Sequence, residues 1–146
     1  MRNYKSWYWT AVVFQFLTAA IHALSFLNDP QPANDTEKTM IVLMRNYKQD
    51  MAGMQVTTWE LFLALSSCFS LLYFLGGLTN TWLLRRKADD ALLGGILWIN
   101  LLVFGACFFI MAALTFPPPI ALTGLVFLFL GVALAVKKGT TGKFSV

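Results

Sequence analysis

The sequence predicts an all-α fold: a four-transmembrane-helix bundle with an amphipathic external helix between spans 1 and 2. Three observations carry this expectation. The chain is 58% hydrophobic and only 12% charged, whereas an ordinary soluble domain carries about 25% charged residues. It contains four apolar runs of roughly membrane-spanning length, because about 20 helical residues at 1.5 Å each cross a hydrocarbon core of about 30 Å. Its lysines and arginines cluster beside those runs rather than within them. Four spans use well over half of 146 residues, so residues 1–146 read as a single integral-membrane domain.

The first span is expected at about Trp7 to Leu27 and stops at Asn28-Asp29-Pro30, a combination that favours chain reversal. The start, Met1-Arg2-Asn3-Tyr4-Lys5, is basic, but the apolar run behind it is long and lacks a small-residue cleavage site. It is read as a first span, not a removable signal peptide. The second span is expected at about Thr57 to Leu84, the third at Ala91 to Phe116 and the fourth at about Pro119 to Val136. Pro117-Pro118-Pro119 predicts a short stiff turn, which makes spans three and four an antiparallel hairpin.

The long connection from Asn28 to Val56 repeats apolar residues at steps of three and four: Met40, Leu43, Met44, Tyr47, Met51 and Met54. A helix over Thr36 to Met54 is expected there, capped by Asp35 or Thr36, lying on the outer membrane surface or over the bundle.

Orientation follows from the positive charges, since cytoplasmic flanks carry the excess of Lys and Arg. Arg2, Lys5, Arg85, Arg86, Lys87, Lys137, Lys138 and Lys143 fall on one side of a four-span chain. Lys38, Arg45 and Lys48 fall on the other, offset by Asp29, Asp35, Glu37 and Asp50. Both termini are therefore expected inside, with Trp7, Tyr8 and Trp9 in the inner interfacial belt. The basic residues set topology, and no nucleic-acid partner is expected.

Chemistry is sparse. Cys68 and Cys107 lie within apolar segments with no CxxC pair and no adjacent histidine, so they read as small buried hydrophobes rather than zinc ligands or a disulfide. Met40, Met44, Met51 and Met54 invite a Cu(I) reading, but methionine at helical spacing is first an apolar filler, and no metal site is assigned. No nucleophile motif or phosphate loop is present.

Polar residues inside a bilayer face other helices rather than lipid. Gln15, Thr18, His22 and Ser25, spaced three, four and three apart, form one stripe on the first span. His22 is the single histidine of the chain, able to exchange a proton or to pin one helix to another by a hydrogen bond. Glu60, near the outer end of the second span, is expected at a similar depth. The two are expected to meet, as an acid/base or ligand-gripping pair at the mouth of an outward-facing pocket with Trp59 beside them. The structural alternative makes Glu60 a helix-terminal carboxylate, with Thr57 or Thr58 as N-cap. Gln15 and Asn100, both near the bilayer midplane, are expected to pair as amides that hydrocarbon would otherwise leave unsatisfied.

Ala19-Ala20-Ile21-His22-Ala23-Leu24 in the first span, a loop ending Asp50-Met51-Ala52-Gly53-Met54, and a helix entered through Thr58-Trp59-Glu60-Leu61-Phe62 together resemble small bacterial DoxX-like four-helix membrane proteins of unknown function. The resemblance covers the first half of the chain and implies a four-helix bundle in the bacterial inner membrane, associated with redox or lipid metabolism of the envelope. It transfers no catalytic residue.

The functional expectation is a protein that binds a lipid-like small molecule, such as a quinone or isoprenoid, in an outward-facing intrabundle pocket. Its ligand-binding residues would be His22, Glu60, Trp59, Ser25, Gln15 and Asn100. One alternative is an accessory or assembly subunit of a larger membrane complex, or a homo-oligomer, without its own chemistry. Another is a lipid-modifying enzyme using His22 and Glu60 as acid and base. The sequence identifies no particular cofactor.

Overall fold

A computed structural model of the chain describes residues 4–141; Arg2 and Lys143, counted above for orientation, lie outside them. Five helices and one short hairpin follow in the order α1 (Tyr4–Ser25), α2 (Asp35–Asn46), β1 (Lys48–Met51), β2 (Met54–Thr57), α3 (Thr58–Arg85), α4 (Asp90–Leu114) and α5 (Pro117–Thr141). Four of the helices, α1, α3, α4 and α5, are long and apolar enough to cross a membrane. The start of α1, the end of α3, the start of α4 and the end of α5 define a terminal end. Helix α2, the hairpin and the α4–α5 turn define a loop end.

Helix α1 packs between α3 and α5, and α4 packs on α5, whereas α3 and α4 touch least among neighbours. Each long helix buries a narrow stripe and leaves the rest of its circumference exposed. On α1 the stripe is Tyr4, Tyr8, Ala11, Val12, Gln15, Thr18 and Ala19, at the three-and-four spacing of one helical face. Leu17, Leu71, Leu75, Leu102 and Phe109, by contrast, point outward, as expected of helices whose surroundings are apolar. Where α3 crosses α1 and α4, glycine permits the approach: a Cβ on Gly76 would stand 2.5 Å from the Phe104 ring and 3.1 Å from Gln15 Nε2.

The middle of the bundle holds a polar network. The Tyr8 hydroxyl donates to Asn80 Oδ1 (2.7 Å), Asn80 Nδ2 donates to Gln15 Oε1 (3.0 Å) and Asn100 Oδ1 (2.9 Å), and Gln15 Nε2 donates to Asn100 Oδ1 (3.2 Å). All four side chains are buried, and they tie α1, α3 and α4 together. The expected Gln15–Asn100 pair is present, enlarged by Asn80 and Tyr8. Tyr8 therefore does not sit in an interfacial belt: its ring is fully enclosed because its hydroxyl has an interior partner. Trp7 is half-buried and stacks on Phe129, and Trp9 alone of the three stays exposed. Cys107 is half-buried, but Cys68 faces outward on α3, contrary to the reading of both as buried.

The long connection departs most from expectation. Its helix begins at Asp35 with Asn34 as the cap, the Asn34 side chain accepting from the Glu37 N–H at 2.9 Å. It ends at Asn46, not Met54. Ala52 and Gly53 both take positive φ, 55° and 83°, the geometry of a tight two-residue hairpin turn. The Asp50 carboxylate accepts from the Gly53 N–H at 3.0 Å, so Met51 and Met54 pair across strands instead of continuing the helical face. The methionine spacing misled because partners across a two-residue turn stand three apart in sequence, the same step that separates neighbours on a helical face.

The remaining boundaries follow local chemistry. Helix α3 ends in two carbonyl-capping bonds, Lys87 N–H to the Leu84 oxygen and Ala88 N–H to the Leu83 oxygen, with Lys87 at φ 52°, the left-handed closing turn usually given to glycine. Asp89 then caps α4 by accepting from the Leu92 N–H. Helix α5 starts at Pro117, two residues earlier than expected, so the three prolines form its first turn rather than a separate turn. The N–H groups of a first turn have no intrahelical acceptor, so nothing is lost there by proline. At the terminal end, Asp90 accepts from the Tyr4 hydroxyl (2.6 Å) and pairs with Lys5 (3.0 Å), joining the starts of α1 and α4.

Candidate functional site

The loop half of the bundle holds a partly open cavity of about 530 Å³ between α1, α3, α4 and α5. Its existence follows from the packing: α3 and α4 are held together at mid-bundle through Asn80–Asn100 and the Tyr73–Phe104 ring contact. The two helices otherwise approach each other little. Thr18, Ile21, His22 and Ser25 of α1 form one wall; Phe62, Leu65, Ser66 and Phe69 of α3 form the second. Met111, Thr115 and Phe116 from the end of α4 and Pro118, Pro119, Leu122 and Thr123 of α5 complete it. The lining is mostly apolar, and its floor abuts Phe69 and Tyr73, whose rings lie 4.8 Å apart.

His22 is the single titratable side chain in the lining. Its imidazole meets Phe69 edge-on at 4.8 Å and Phe26 at 5.1 Å, with one ring edge toward the Ser66 backbone. Four of the five lining hydroxyls donate to carbonyls of their own helix: Thr18 to Phe14 (2.7 Å), Ser25 to His22 (2.6 Å), Thr115 to Met111 (2.7 Å) and Thr123 to Pro119 (2.8 Å).

Of the residues expected at this site, His22 and Ser25 line the cavity, and Thr18 of the same polar stripe joins them. Gln15 and Asn100 do not; they belong to the mid-bundle network, where their polar atoms are engaged by each other and by Asn80. Glu60 is exposed and completes a capping box. The Thr57 N–H and hydroxyl donate to Glu60 Oε2 at 2.7 and 2.9 Å, and the Glu60 N–H donates to Thr57 Oγ1 at 3.2 Å. Among the described residues no direct hydrogen bond or ion pair joins His22 to Glu60, and only His22 of the two lines the cavity. A carboxylate at the third helical position finds two otherwise unpaired donors three residues away, and that local claim prevails over a partner on another helix. Trp59 is likewise elsewhere, its ring beneath the Arg45 guanidinium at 4.7 Å, with Arg45 also bound to Asp29 at 2.6 Å.

Removal of the Thr57 hydroxyl should destabilise the chain by about 1 kcal/mol in a Thr57→Ala variant, a typical loss for an N-cap. Glu60→Gln should change stability far less, because an amide oxygen still accepts from Thr57. Chemical unfolding in detergent checks both, and a larger loss for Glu60→Gln would mean that the carboxylate has a second partner.

The contributions from α4 and α5 were not singled out from sequence. Thr123, a lone hydroxyl in an otherwise apolar stretch and fully buried, was the available signal. Asn80, the one asparagine of α3, was the corresponding signal for the network.

Four membrane-length apolar helices around a partly enclosed apolar cavity define the class of a multi-pass helical membrane protein. Compared with family models, curated proteins and solved structures, the chain matches none.

Proposed function

We propose that this is a multi-pass protein of the bacterial inner membrane that binds a lipid-like small molecule, such as a quinone or isoprenoid, in the loop-end cavity, with His22 as its principal polar contact. The observation that carries the reading is the cavity itself. Its volume of about 530 Å³ falls within the roughly 300–1,000 Å³ of small-molecule sites, and a mostly apolar wall with a few polar groups is their usual composition. The looser α3–α4 side gives a membrane-dissolved molecule a lateral route inward.

Native mass spectrometry of gently extracted protein should find one small apolar molecule bound per chain. Protein ions free of any adduct, together with no uptake of added long-chain quinone or isoprenol, would overturn the reading.

On this proposal both termini are cytoplasmic and the cavity opens outward. The support is charge: among the described residues Lys5, Arg85, Arg86, Lys87, Lys137 and Lys138 gather at the terminal end, against Lys38, Arg45 and Lys48 at the loop end. Helix α2 would then lie at the outer surface as the external helix. A cysteine introduced at Lys48 should react with an impermeant maleimide in intact cells, and one at Lys87 only after lysis. The opposite pattern would invert the topology.

One observation favours the second reading, an accessory subunit. Met40, Leu43 and Tyr47 of α2 are exposed and border a shallow groove with Thr58, a face that the membrane surface or a larger complex would cover. The cavity's lining residues include no carboxylate, so the acid/base reading draws no support from it.

A further inference from the structure

The hydrogen-bond inventory of the cavity narrows the ligand beyond its being lipid-like, and the inference rests on the cavity reading above. No lysine or arginine is among the lining residues. A phosphorylated or carboxylate head carries acceptors only, and burying it needs donors or cations around it. The lining offers few. The protons of Thr18, Ser25, Thr115 and Thr123 are directed into backbone carbonyls of their own helices. Thr18 and Thr123 are fully buried, whereas Ser25 and Thr115 are exposed and keep lone pairs for a ligand with no proton to give, so that Ser66 is the one lining hydroxyl left to donate. The His22 imidazole lies beside the Ser66 backbone, and a neutral imidazole has one ring nitrogen that can only accept.

The cavity is thus rich in acceptors, poor in donors and without positive charge. We infer that its ligand is an amphiphile with a neutral hydroxyl head, an alcohol, phenol or sterol-like compound, that donates its proton to these acceptors. A diphosphate ester or phospholipid of equal tail length would leave its charge unpaired. A quinone carbonyl, an acceptor like its surroundings, would be held less well than the corresponding quinol.

Three probes with one tail separate the possibilities: farnesol, its methyl ether and farnesyl diphosphate, each titrated into the delipidated full-length protein in neutral detergent and read by native mass spectrometry. Farnesol should bind about tenfold more tightly than the methyl ether, which lacks only the donor, and the diphosphate should bind more weakly still. Equal or tighter binding of the ether or the diphosphate would overturn the inference while leaving the cavity as a lipid site. Binding of none of the three would overturn the cavity reading, and the inference with it.

Discussion

Replacing Asn80 by leucine should cost the protein about 3 kcal/mol of stability, the largest loss expected from any single polar substitution in the bundle. Asn80 bonds to Tyr8, Gln15 and Asn100 at once. Its removal deprives the Tyr8 hydroxyl of its acceptor and Gln15 Oε1 of its donor at fully buried positions. Interhelical hydrogen bonds in membranes contribute roughly 0.6–2 kcal/mol each, and a buried group left unpaired costs about 1–3 kcal/mol. Leucine fills the volume but cannot restore either partner. Thr79→Leu, one residue earlier on the exposed face of the same helix, is the control and should be close to neutral. Denaturant titration of both variants in mixed micelles makes the comparison, and equal losses would show that the amide network contributes nothing specific.

Filling the cavity should have the largest effect on binding. Leu122 lines it from α5 and is half-buried, so Leu122→Trp places an indole in the space a ligand would occupy. Affinity for a long-chain alcohol should fall at least about tenfold, equivalent to 1.4 kcal/mol, with the thermal transition little changed because the added ring meets empty volume rather than packed side chains. Leu71→Trp, on the outward face of α3, adds the same ring outside the cavity and should leave affinity intact. A Leu122→Trp protein that binds as well as the parent would locate the ligand elsewhere.

The four long helices were legible because their signal is compositional: apolar runs of sufficient length, bounded by charge and proline, leave little choice of structure in an apolar solvent. The Gln15–Asn100 pair was legible for a related reason, since two amides at one depth have few partners but each other. Asn80 and Tyr8 were not, because which faces of α1 and α3 meet is decided by small residues such as Gly76, whose close approach to Phe104 has no local signature. Glu60 was legible as a cap and illegible as a partner of His22: the Thr57-to-Glu60 spacing is a local motif, while contact across helices depends on rotation and depth. Helix α2 was legible in existence but not in length, since the Ala52-Gly53 turn that ends its apolar periodicity is a backbone event of two residues. The cavity was half legible. His22, Ser25 and Thr18 form a visible stripe, but the walls from α4 and α5 are ordinary apolar residues whose role is set only by where the helices diverge.

That a lipid-like molecule sits beside His22 in the cavity walled by α1, α3, α4 and α5 is tested most directly by photo-crosslinking in native membranes. A long-chain alcohol bearing a diazirine near its hydroxyl should label the peptides containing His22, Ser66 and Thr123, and unlabelled farnesol should compete the label away. Label spread evenly over outward-facing positions such as Leu75 and Leu102, and indifferent to competitor, would contradict the account.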